Sequence, residues 1–416
     1  LGLGGGDGGV RDHGEVVAEH GAAHHGTDDH GEGQAAFFRN THGDGDHGGD
    51  GAHGAAGGGA HKGGDDEQTG GQEFHRYQGQ TQIYRGFAAA HDRRHVGEGT
   101  GQNVDHQHGV VTGFALDKGV KFEFEKTQDG SCFVKSKNFP GTVMFNIDDI
   151  PDRTYTWGDF IQGAVVALLR KYELHYGVKG VVEGQLPSGG LSSSAAVILT
   201  YLLAICKVND ITLTKPELIN MAIWEERNYI GVNVGKLDQS CEVYCKKDAI
   251  LFLDTQDDSS EIIPINPKMP DFEIMILFSG LERKLAGTAY NTRVDECKAA
   301  SYALKAYSGM DYGKYDISVL RDVPYGIFLD YKALLPDTWR KRAEHYYEEN
   351  RRVKEGIKAW KNGNIEKFGQ LIFESGRSSI YKYETGSEEL KVLQEIMQST
   401  DGIYGGRFSG AGFNGS

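Results

Sequence analysis

The amino-acid sequence predicts an α+β protein with two domains, and three features support that prediction. The chain has 416 residues, more than the ~250–300 at which a single hydrophobic core stops growing. Apolar and polar side chains alternate over residues 110–126, as they do in strands. Residues 337–400 instead have helical periodicity, with charges at i, i+4 spacing that indicate solvated helix faces.

Residues 1–80 differ in composition from the rest of the chain. Fourteen of the sixteen histidines precede Val110, and no Ser, Pro, Cys, Met or Trp occurs before Ser131. Glycine and charge at this density bury too little apolar area to offset the loss of chain entropy. We therefore predict that this low-complexity segment is disordered, or an unreliable part of the sequence. Its histidines suit transition metals, although no pair has a fixed ligand spacing.

Composition also limits the partners of the protein. The net charge of −15 disfavours a nucleic-acid partner, whose phosphates require a basic surface. The longest apolar run, residues 195–206, is shorter than the ~18 residues that indicate a membrane span. The five cysteines form no CxxC pair, which favours reduced thiols in the cytoplasm. We expect small-molecule partners, with no nucleic acid and no membrane.

Further along the chain, local patterns predict several elements. Residues 110–126 surround an Asp-Lys-Gly turn and predict two short strands. Residues 156–174 have an apolar stripe at helical spacing, with the threonine at the first position as N-cap. Residues 178–186 predict a strand. Another helix begins at "TKPEL", where Thr214 and Glu217 form a capping box.

The segment "LPSGGLSSSAAVILTYLLAIC" combines a glycine turn, three serines and an apolar helix. Gly189 and Gly190 allow backbone N–H groups to turn toward a ligand. Ser192, Ser193 and Ser194 stand at the first helical turn, where four N–H groups lack partners and the dipole favours an anion. This pattern predicts a site for nucleotide phosphates, with hydroxyls available to Mg²⁺. The alternative is that the serines only cap a buried helix. No GKS or GKT follows, so this is not a P-loop.

Five segments together resemble the GHMP kinases, a family named for galactokinase, homoserine, mevalonate and phosphomevalonate kinases. "GGLSSSAA" is similar to the second family signature. "WEERNYIGVNVGKLDQS", in which Glu226 precedes Asp238 by twelve positions, resembles the corresponding sugar-kinase segment. "AYNTRVDEC", "RAEHYYEENRRV" and "GGRFSGAGFNGS" resemble further segments of the galactokinase branch. The resemblance covers about residue 103 to the end, and "NVDHQHGVVTGFALDKG" is most similar to the galacturonokinases of that branch.

This resemblance implies a reaction, in which ATP phosphorylates the anomeric hydroxyl of galacturonic acid with the help of Mg²⁺. Asp238 would orient that hydroxyl and accept its proton. Ser194 and Glu226 would hold the Mg²⁺ ion.

The resemblance also implies residues that bind the two substrates. Asp105, His106 and Tyr290 would contact the sugar, together with the catalytic aspartate. The nucleotide would be bound by Trp157 beside the adenine and by the serine segment, which comprises Gly189, Gly190, Leu191, Ser192, Ser193, Ser194 and Ala195.

The sequence offers several candidates for the cationic side chains of the site. The family's first signature has an arginine nine residues before the aspartate, where this chain has Val96. Arg93 and Arg94 are the nearest arginines, and Arg94 is our candidate to assist catalysis. A uronate carboxylate also needs a cation when buried, and its candidates are Arg283, Lys284 and Arg293.

The implied fold is two α+β domains with the site between them. Residues 81–255 would resemble the second domain of ribosomal protein S5, and residues 256–416 a ferredoxin-like domain. The third signature ends in "NGS", where the family continues with another strand and helix. We therefore expect a truncated C-terminal sheet, and a turn at Gly410 and Gly412 that lacks its backing. The protein would be a monomer or a homodimer.

Other functions stay open. One is a galactokinase acting on galactose, and another is a catalytically weak sensor that binds sugar and ATP. The joint presence of Asp238, Glu226 and the serine segment favours an enzyme over a sensor. A histidine-rich metal carrier would depend on residues 1–109 alone.

Overall fold

The computed structural model describes residues 35–40, 93–186, 191–277, 279 and 288–412. Its strands are β1 (Ala35–Asn40), β2 (Arg93–Glu98), β3 (Val110–Lys126), β4 (Ser131–Ser136), β5 (Thr142–Asn146), β6 (Val178–Gly184), β7 (Ala249–Asp254), β8 (Ser260–Pro264), β9 (Phe272–Leu277) and β10 (Ile403–Phe408). Its helices are α1 (Asp159–Leu169), α2 (Ser193–Val208), α3 (Lys215–Trp224), α4 (Leu237–Tyr244), α5 (Thr288–Tyr307), α6 (Tyr325–Tyr331), α7 (Asp337–Lys361), α8 (Ile365–Tyr381) and α9 (Glu388–Ser399). These mixed elements confirm the α+β class.

The larger sheet has the strand order β5-β4-β6-β3-β7-β8, with β2 also paired to β3. The prediction of two short strands at residues 110–126 is wrong, because β3 is continuous and pairs in succession with β7, β2 and β6. Between the pairs Arg94–Gly119 and Val96–Ala115, one residue of β2 faces three residues of β3. The Asp-Lys-Gly sequence therefore contributes to a bulge instead of a hairpin turn.

Helices α1, α2 and α3 share an apolar core with β3, β4 and β6. The sequence of α2 is small and apolar on nearly every side, so the helix is buried almost throughout. The predicted capping box of Thr214 and Glu217 is present at the start of α3. The predicted cap of α1 is wrong, since that helix begins at Asp159. The Asp159 carboxylate accepts hydrogen bonds from the N–H groups of Thr154 and Tyr155 (2.9 and 2.8 Å) and closes a turn ahead of the helix.

A second, three-stranded sheet has the order β10-β1-β9 and is antiparallel throughout. Its central strand, Ala35–Asn40, comes from the segment whose composition predicts disorder. The sequence "AAFFRN" is a short apolar exception within glycine-rich surroundings, and both backbone edges of the strand are paired. Average composition hides a strand of this length. The other residues of the 1–80 segment lie outside the described residues.

Helices α7, α8 and α9 confirm the helix-rich stretch predicted at residues 337–400. One core joins α5, α6 and α7 to β7 and α4 through residues such as Leu304, Phe328 and Tyr346. Another joins α7 and α8 to β3, β7 and β8 through Trp360 and Phe368. These two cores hold helices α5 to α8 against the larger sheet. Other parts of that sheet contribute to the cavity described below.

The described helices include none that is long and apolar enough to cross a membrane. All five cysteines are free thiols. The described residues belong to one compact unit, and the division into domains at residue 255 stays a prediction.

Substituting Gly369 of α8 by alanine is expected to destabilise the protein by about 2–3 kcal/mol, because of overpacking. A Cβ atom at Gly369 would lie 2.2 Å from the carbonyl oxygen of Tyr404, which belongs to β10. The atoms that this Cβ would meet belong to the backbone of β10, so no side-chain rotation can relieve the clash. The free energy of unfolding, measured by urea denaturation, tests this prediction.

Gly326→Ala in α6 is the matched control. A Cβ atom there meets no heavy atom within 4 Å, so alanine is expected to stabilise the helix by up to about 1 kcal/mol. A Gly369→Ala protein as stable as the wild type would contradict the close packing of α8 on β10.

Candidate active site

A cavity of about 440 Å³ lies among β2, β6, α1, α2, α4 and the turn after β10. This volume suits a small-molecule ligand. Among the described residues, four carboxyl side chains line it, those of Glu98, Asp105, Glu226 and Asp238. Among the described residues that line it there is no lysine, arginine or histidine. The described wall of the cavity therefore carries acidic groups without a cationic side chain.

The three serines at the start of α2 all line this cavity. Ser192 has a left-handed backbone conformation (φ 55°), and its side chain makes no capping hydrogen bond. Its Oγ is buried without a hydrogen-bond partner among the described residues. A non-glycine residue in this conformation costs of order 1 kcal/mol and persists where its surroundings impose it. The alternative that the serines only cap a buried helix is therefore wrong for Ser192.

The other predicted nucleotide-binding residues divide into three groups. Trp157 lines the cavity and donates from its indole nitrogen to the carbonyl oxygen of Pro140 (3.1 Å). Leu191 and Ala195 are buried in the apolar interior, and their side chains are not part of the cavity wall. Gly189 and Gly190 lie outside the described residues.

Glu226 faces the cavity from a π-helical turn, Glu225–Ile230, that directly follows α3. Its side chain is buried and accepts a hydrogen bond from the amide of Gln239. The carboxylate of Glu226 and the hydroxyl of Ser194 thus face one space, and oxygen donors of this kind suit Mg²⁺. The neighbouring Glu225 is fully buried beside Gly163. Burial and the nearby Glu226 raise the pKa of Glu225 well above its usual range.

Asp105 and Asp238 face the cavity from two segments that are joined by a hydrogen bond. Asp105 lies in a single 3₁₀ turn, Asp105–Gln107. Its Oδ1 accepts from the N–H of His106 (3.1 Å), and its Oδ2 accepts from the N–H of Leu237 (3.0 Å) at the start of α4. Asp238 is the next residue of that first turn. The two carboxylates therefore line the same cavity.

Gly235 makes this arrangement possible, and it was missed by sequence reasoning. A Cβ atom at this position would lie 1.8 Å from Oδ2 of Asp105. Any side chain there would displace the carboxylate. Nothing in the local sequence identifies this glycine, because its close contact is 130 residues distant along the chain.

Tyr290 also lines the cavity, near the start of α5. Its ring makes an edge contact with His106 at 6.0 Å between centroids. Burial, with Asp105 and Asp238 nearby, raises the pKa of Tyr290 well above its usual range, so the phenol keeps its proton.

His106 is not among the described residues that line the cavity, and its role as a sugar ligand stays a prediction. Its Nε2 is 2.9 Å from the hydroxyl oxygen of Tyr383. Burial lowers the pKa of His106 to about 4, so the imidazole is neutral at physiological pH. The ring packs edge-on against Tyr290, and the backbone N–H of His106 donates to Asp105.

None of the cationic side chains predicted for the site is found in the described cavity wall. One lies elsewhere, and the others are outside the part of the chain that the structure describes. Arg293 donates to the carbonyl oxygens of Tyr383 and Glu384 and pairs with Glu296, and it does not line the cavity. Arg94 pairs through its backbone with Gly119, but its side chain lies outside the described part of the chain. Its catalytic role stays a prediction. Arg283 and Lys284 also lie outside the described residues.

The turn after β10 is well supported, so the expectation that it lacks backing is wrong. The amide of Gln102 donates to the carbonyl oxygen of Gly410. Thr385 Oγ1 donates to the carbonyl oxygen of Ala411 (2.7 Å), and the N–H of Gly386 donates to that of Gly412 (2.9 Å). These contacts come from segments earlier in the chain. Gly410 and Ala411 therefore form a fixed part of the cavity wall.

Glu98 and Asn103 are cavity residues that sequence reasoning missed. Oε1 of Glu98 accepts from the N–H of Gly410 (3.3 Å), whereas its buried Oε2 has no hydrogen-bond partner among the described residues. The buried Nδ2 of Asn103 likewise has none. Burial raises the pKa of Glu98 to about 8. A glutamate at the end of a strand carries no local sequence signal of such burial.

Comparisons with known proteins agree with this geometry. A family model described as "GHMP kinases N terminal domain" matches residues 159–246. Galacturonokinase from Arabidopsis thaliana is 36% identical over 336 residues, covering 76% of this chain and 78% of that protein. Galactokinase from Thermosipho africanus is 31% identical over 316 residues, covering 76% and 84%. The crystal structure of Lactococcus lactis galactokinase complexed with galactose has a TM-score of 0.67 and 26% identity, covering 81% and 88%.

Ser192→Ala is expected to weaken ATP binding about tenfold, the loss typical of one hydrogen bond to a charged group. The stability of the protein should hardly change, because Oγ has no partner among the described residues. Calorimetric titration with MgATP and the thermal midpoint of unfolding test both parts.

Ser301→Ala is the matched control, a buried serine whose Oγ donates to the carbonyl oxygen of Val319 (2.7 Å). This variant should lose about 1 kcal/mol of stability and keep its affinity for ATP. If Ser192→Ala behaves in the same way, Ser192 is structural and the phosphate site is misassigned.

Proposed function

The chain belongs to the GHMP kinase family and is a sugar kinase, and on that premise we propose that it phosphorylates the anomeric hydroxyl of galacturonic acid. The observation that carries the proposal is the pairing of Asp105 with the first turn of α4, which sets two carboxylates in the same cavity as the serines of α2. The similarity to galacturonokinase favours galacturonic acid as the acceptor.

The phosphates of ATP are assigned to the N-terminal turn of α2. Unpaired backbone N–H groups and the positive end of the helix dipole favour an anion there. The hydroxyls of Ser192, Ser193 and Ser194 add donors on the same side. Trp157 supplies an apolar surface for the adenine.

Mg²⁺ would be held by Ser194 and Glu226, together with phosphate oxygens of ATP. The donors fit, because Mg²⁺ is usually held by one or two carboxylates plus substrate phosphates. When bound, it neutralises phosphate charge that would otherwise meet four carboxyl groups in one cavity.

Asp238 acts on the sugar hydroxyl in this proposal. Its carboxylate accepts the hydroxyl proton as the anomeric oxygen bonds to the γ-phosphorus. The bond from that phosphorus to the bridging oxygen breaks, and ADP leaves. Asp105 accepts hydrogen bonds from other sugar hydroxyls through the lone pairs that its two backbone contacts leave free. Tyr290 offers a neutral phenol to the sugar.

Galactose is the second candidate substrate, and one observation favours it. A buried uronate carboxylate needs a positive partner, yet the described cavity wall has no lysine, arginine or histidine. A neutral sugar has no such requirement. The structure of the Lactococcus lactis enzyme is a complex with galactose.

The setting of the reaction is also part of the proposal. We assign the enzyme to the cytoplasm as a monomer or homodimer. The five free thiols are compatible with a reducing compartment.

Asp238→Asn is expected to lower turnover at least about a hundredfold on the best sugar, because the amide cannot accept the proton. Galacturonate, galactose, glucuronate and arabinose are compared side by side in a coupled ADP-release assay. Galacturonate should give the highest kcat/KM.

Asp254→Asn is its control, since Asp254 is half-buried and pairs with Arg321 outside the cavity wall. That variant should keep its turnover while losing some stability. Equal activity of the wild type and Asp238→Asn would exclude this aspartate as the base, and preference for galactose would select the second candidate.

Glu226→Gln is expected to raise the Mg²⁺ concentration for half-maximal activity by at least tenfold, the scale seen when groups at a metal site are removed. The adjacent Glu225→Gln is the control. Burial and the nearby Glu226 raise the pKa of Glu225 and so favour its neutral form, to which glutamine is close in shape. An unchanged Mg²⁺ requirement in Glu226→Gln would remove this residue from the metal site.

A further inference from the structure

Glu98 is a buried carboxyl group that the proposed mechanism does not use. It lies at the end of β2 with 8% of its surface exposed, and it lines the cavity. One oxygen, Oε1, accepts from the N–H of Gly410 in the turn after β10. The other, Oε2, is buried and makes no hydrogen bond to any described residue. A buried polar atom without a partner costs about 1–3 kcal/mol unless a ligand or water satisfies it.

Among the described residues, the charged and titratable groups around Glu98 come from four elements. Arg407 of β10 is the positive one, and its guanidinium donates to Phe408, Ser375 and Ser379. The others are Asp105 and Asp238, which oppose a further negative charge, and the phenol of Tyr290. Burial is the main cause that raises the pKa of Glu98 to about 8; Arg407 opposes the rise, and Asp238 and Asp105 add to it. The group therefore carries a proton at physiological pH.

We propose that Glu98 is a substrate-binding residue that donates a hydrogen bond from Oε2 to an oxygen of the bound sugar. The inference rests on the proposed function in one respect, that this cavity takes a sugar.

A donor at this place complements the other acidic groups. Asp105 and Asp238 are assigned as acceptors, so they satisfy the hydrogens of sugar hydroxyls and leave the sugar's oxygen lone pairs without partners. A protonated carboxyl supplies a donor without adding charge to a cavity that already holds three other carboxyl groups. A hydroxyl oxygen or a sugar carboxylate is a suitable acceptor, and the bond to a carboxylate is the stronger because it is charge-assisted.

The proposal has a direct consequence for the effect of pH. Glu98 donates below about pH 8, where it is neutral, and loses that ability as the pH rises through this value. The ionised form also places a third negative charge near Asp105 and Asp238. Sugar affinity should therefore fall by about tenfold per pH unit above pH 8, with one proton lost per site. Glutamine keeps a neutral donor at all pH values, so Glu98→Gln should remove this dependence.

The experiment is calorimetric titration of the full-length protein with galacturonate and with galactose, from pH 6 to pH 9.5, in the presence of an unreactive ATP analogue and Mg²⁺. Glu98→Gln should bind sugar within about threefold of the wild type at pH 7 and keep that affinity at pH 9.5. Glu98→Leu should bind about tenfold more weakly at pH 7, the loss of one hydrogen bond. Glu123→Gln is the control, an exposed glutamate on β3 paired with Lys121, and it should follow the wild-type pH curve.

Two results would overturn the inference. One is a wild-type affinity that does not change up to pH 9.5, and the other is a Glu98→Gln curve that falls in parallel with the wild type. Should Glu98→Leu fail to fold, the comparison of wild type with Glu98→Gln still decides.

Turnover measured in parallel separates this inference from the proposed function. If no sugar is phosphorylated but binding depends on Glu98 as stated, the inference stands and the kinase assignment fails. If a sugar is phosphorylated but its binding is independent of Glu98, the kinase assignment stands and the inference fails. If no sugar binds at any pH, both are wrong.

Discussion

The constraint on which this site depends is the crowding of four carboxyl groups around one cavity. Like charges in a low-dielectric space repel strongly, and the described wall offers no cationic side chain against them. Three of the four carboxyl groups are stabilised by contacts or burial that the structure shows. Asp105 accepts two backbone N–H groups, Glu226 accepts the amide of Gln239, and burial holds Glu98 in its protonated form. Mg²⁺ at the site assigned to Ser194 and Glu226 would reduce the same charge repulsion, since it would offset the negative charge of the ATP phosphates.

The fold satisfies this constraint by joining distant segments. A strand end, a 3₁₀ turn, a π-helical turn, the start of α4 and the turn after β10 all reach the cavity. Their contacts are mainly backbone hydrogen bonds, such as those from Leu237 to Asp105 and from Gly410 to Glu98. Bonds of this kind fix positions to within a fraction of an ångström, as phosphoryl transfer requires. Gly235 allows the closest of these approaches.

Sequence reasoning succeeded where a signal is local, and failed where distant residues decide. The capping box of α3, the strand before the serines and the helix-rich stretch were all predicted, because propensity and short spacings determine them. The hairpin in β3 was wrong, since β7, β2 and β6 pair with it in turn and keep it one continuous strand. The N-cap of α1 was wrong because Asp159 turns the chain before the helix. The turn at Gly410 was expected to lack support that Gln102 and Thr385 in fact provide.

The sequence by itself determined the chemistry available to this protein: a serine-rich helix start, two spaced acidic residues and the family to which they belong. These conclusions follow from residue types and short spacings, both of which are visible in the sequence without knowledge of the fold. The tertiary structure decided which of the groups share a cavity. It placed His106 and Arg293 in hydrogen bonds outside the described cavity wall and Glu98 within that wall. Burial and nearby charges set the protonation state of each side chain, and the fold sets which side chains line the cavity. Both depend on residues hundreds of positions apart.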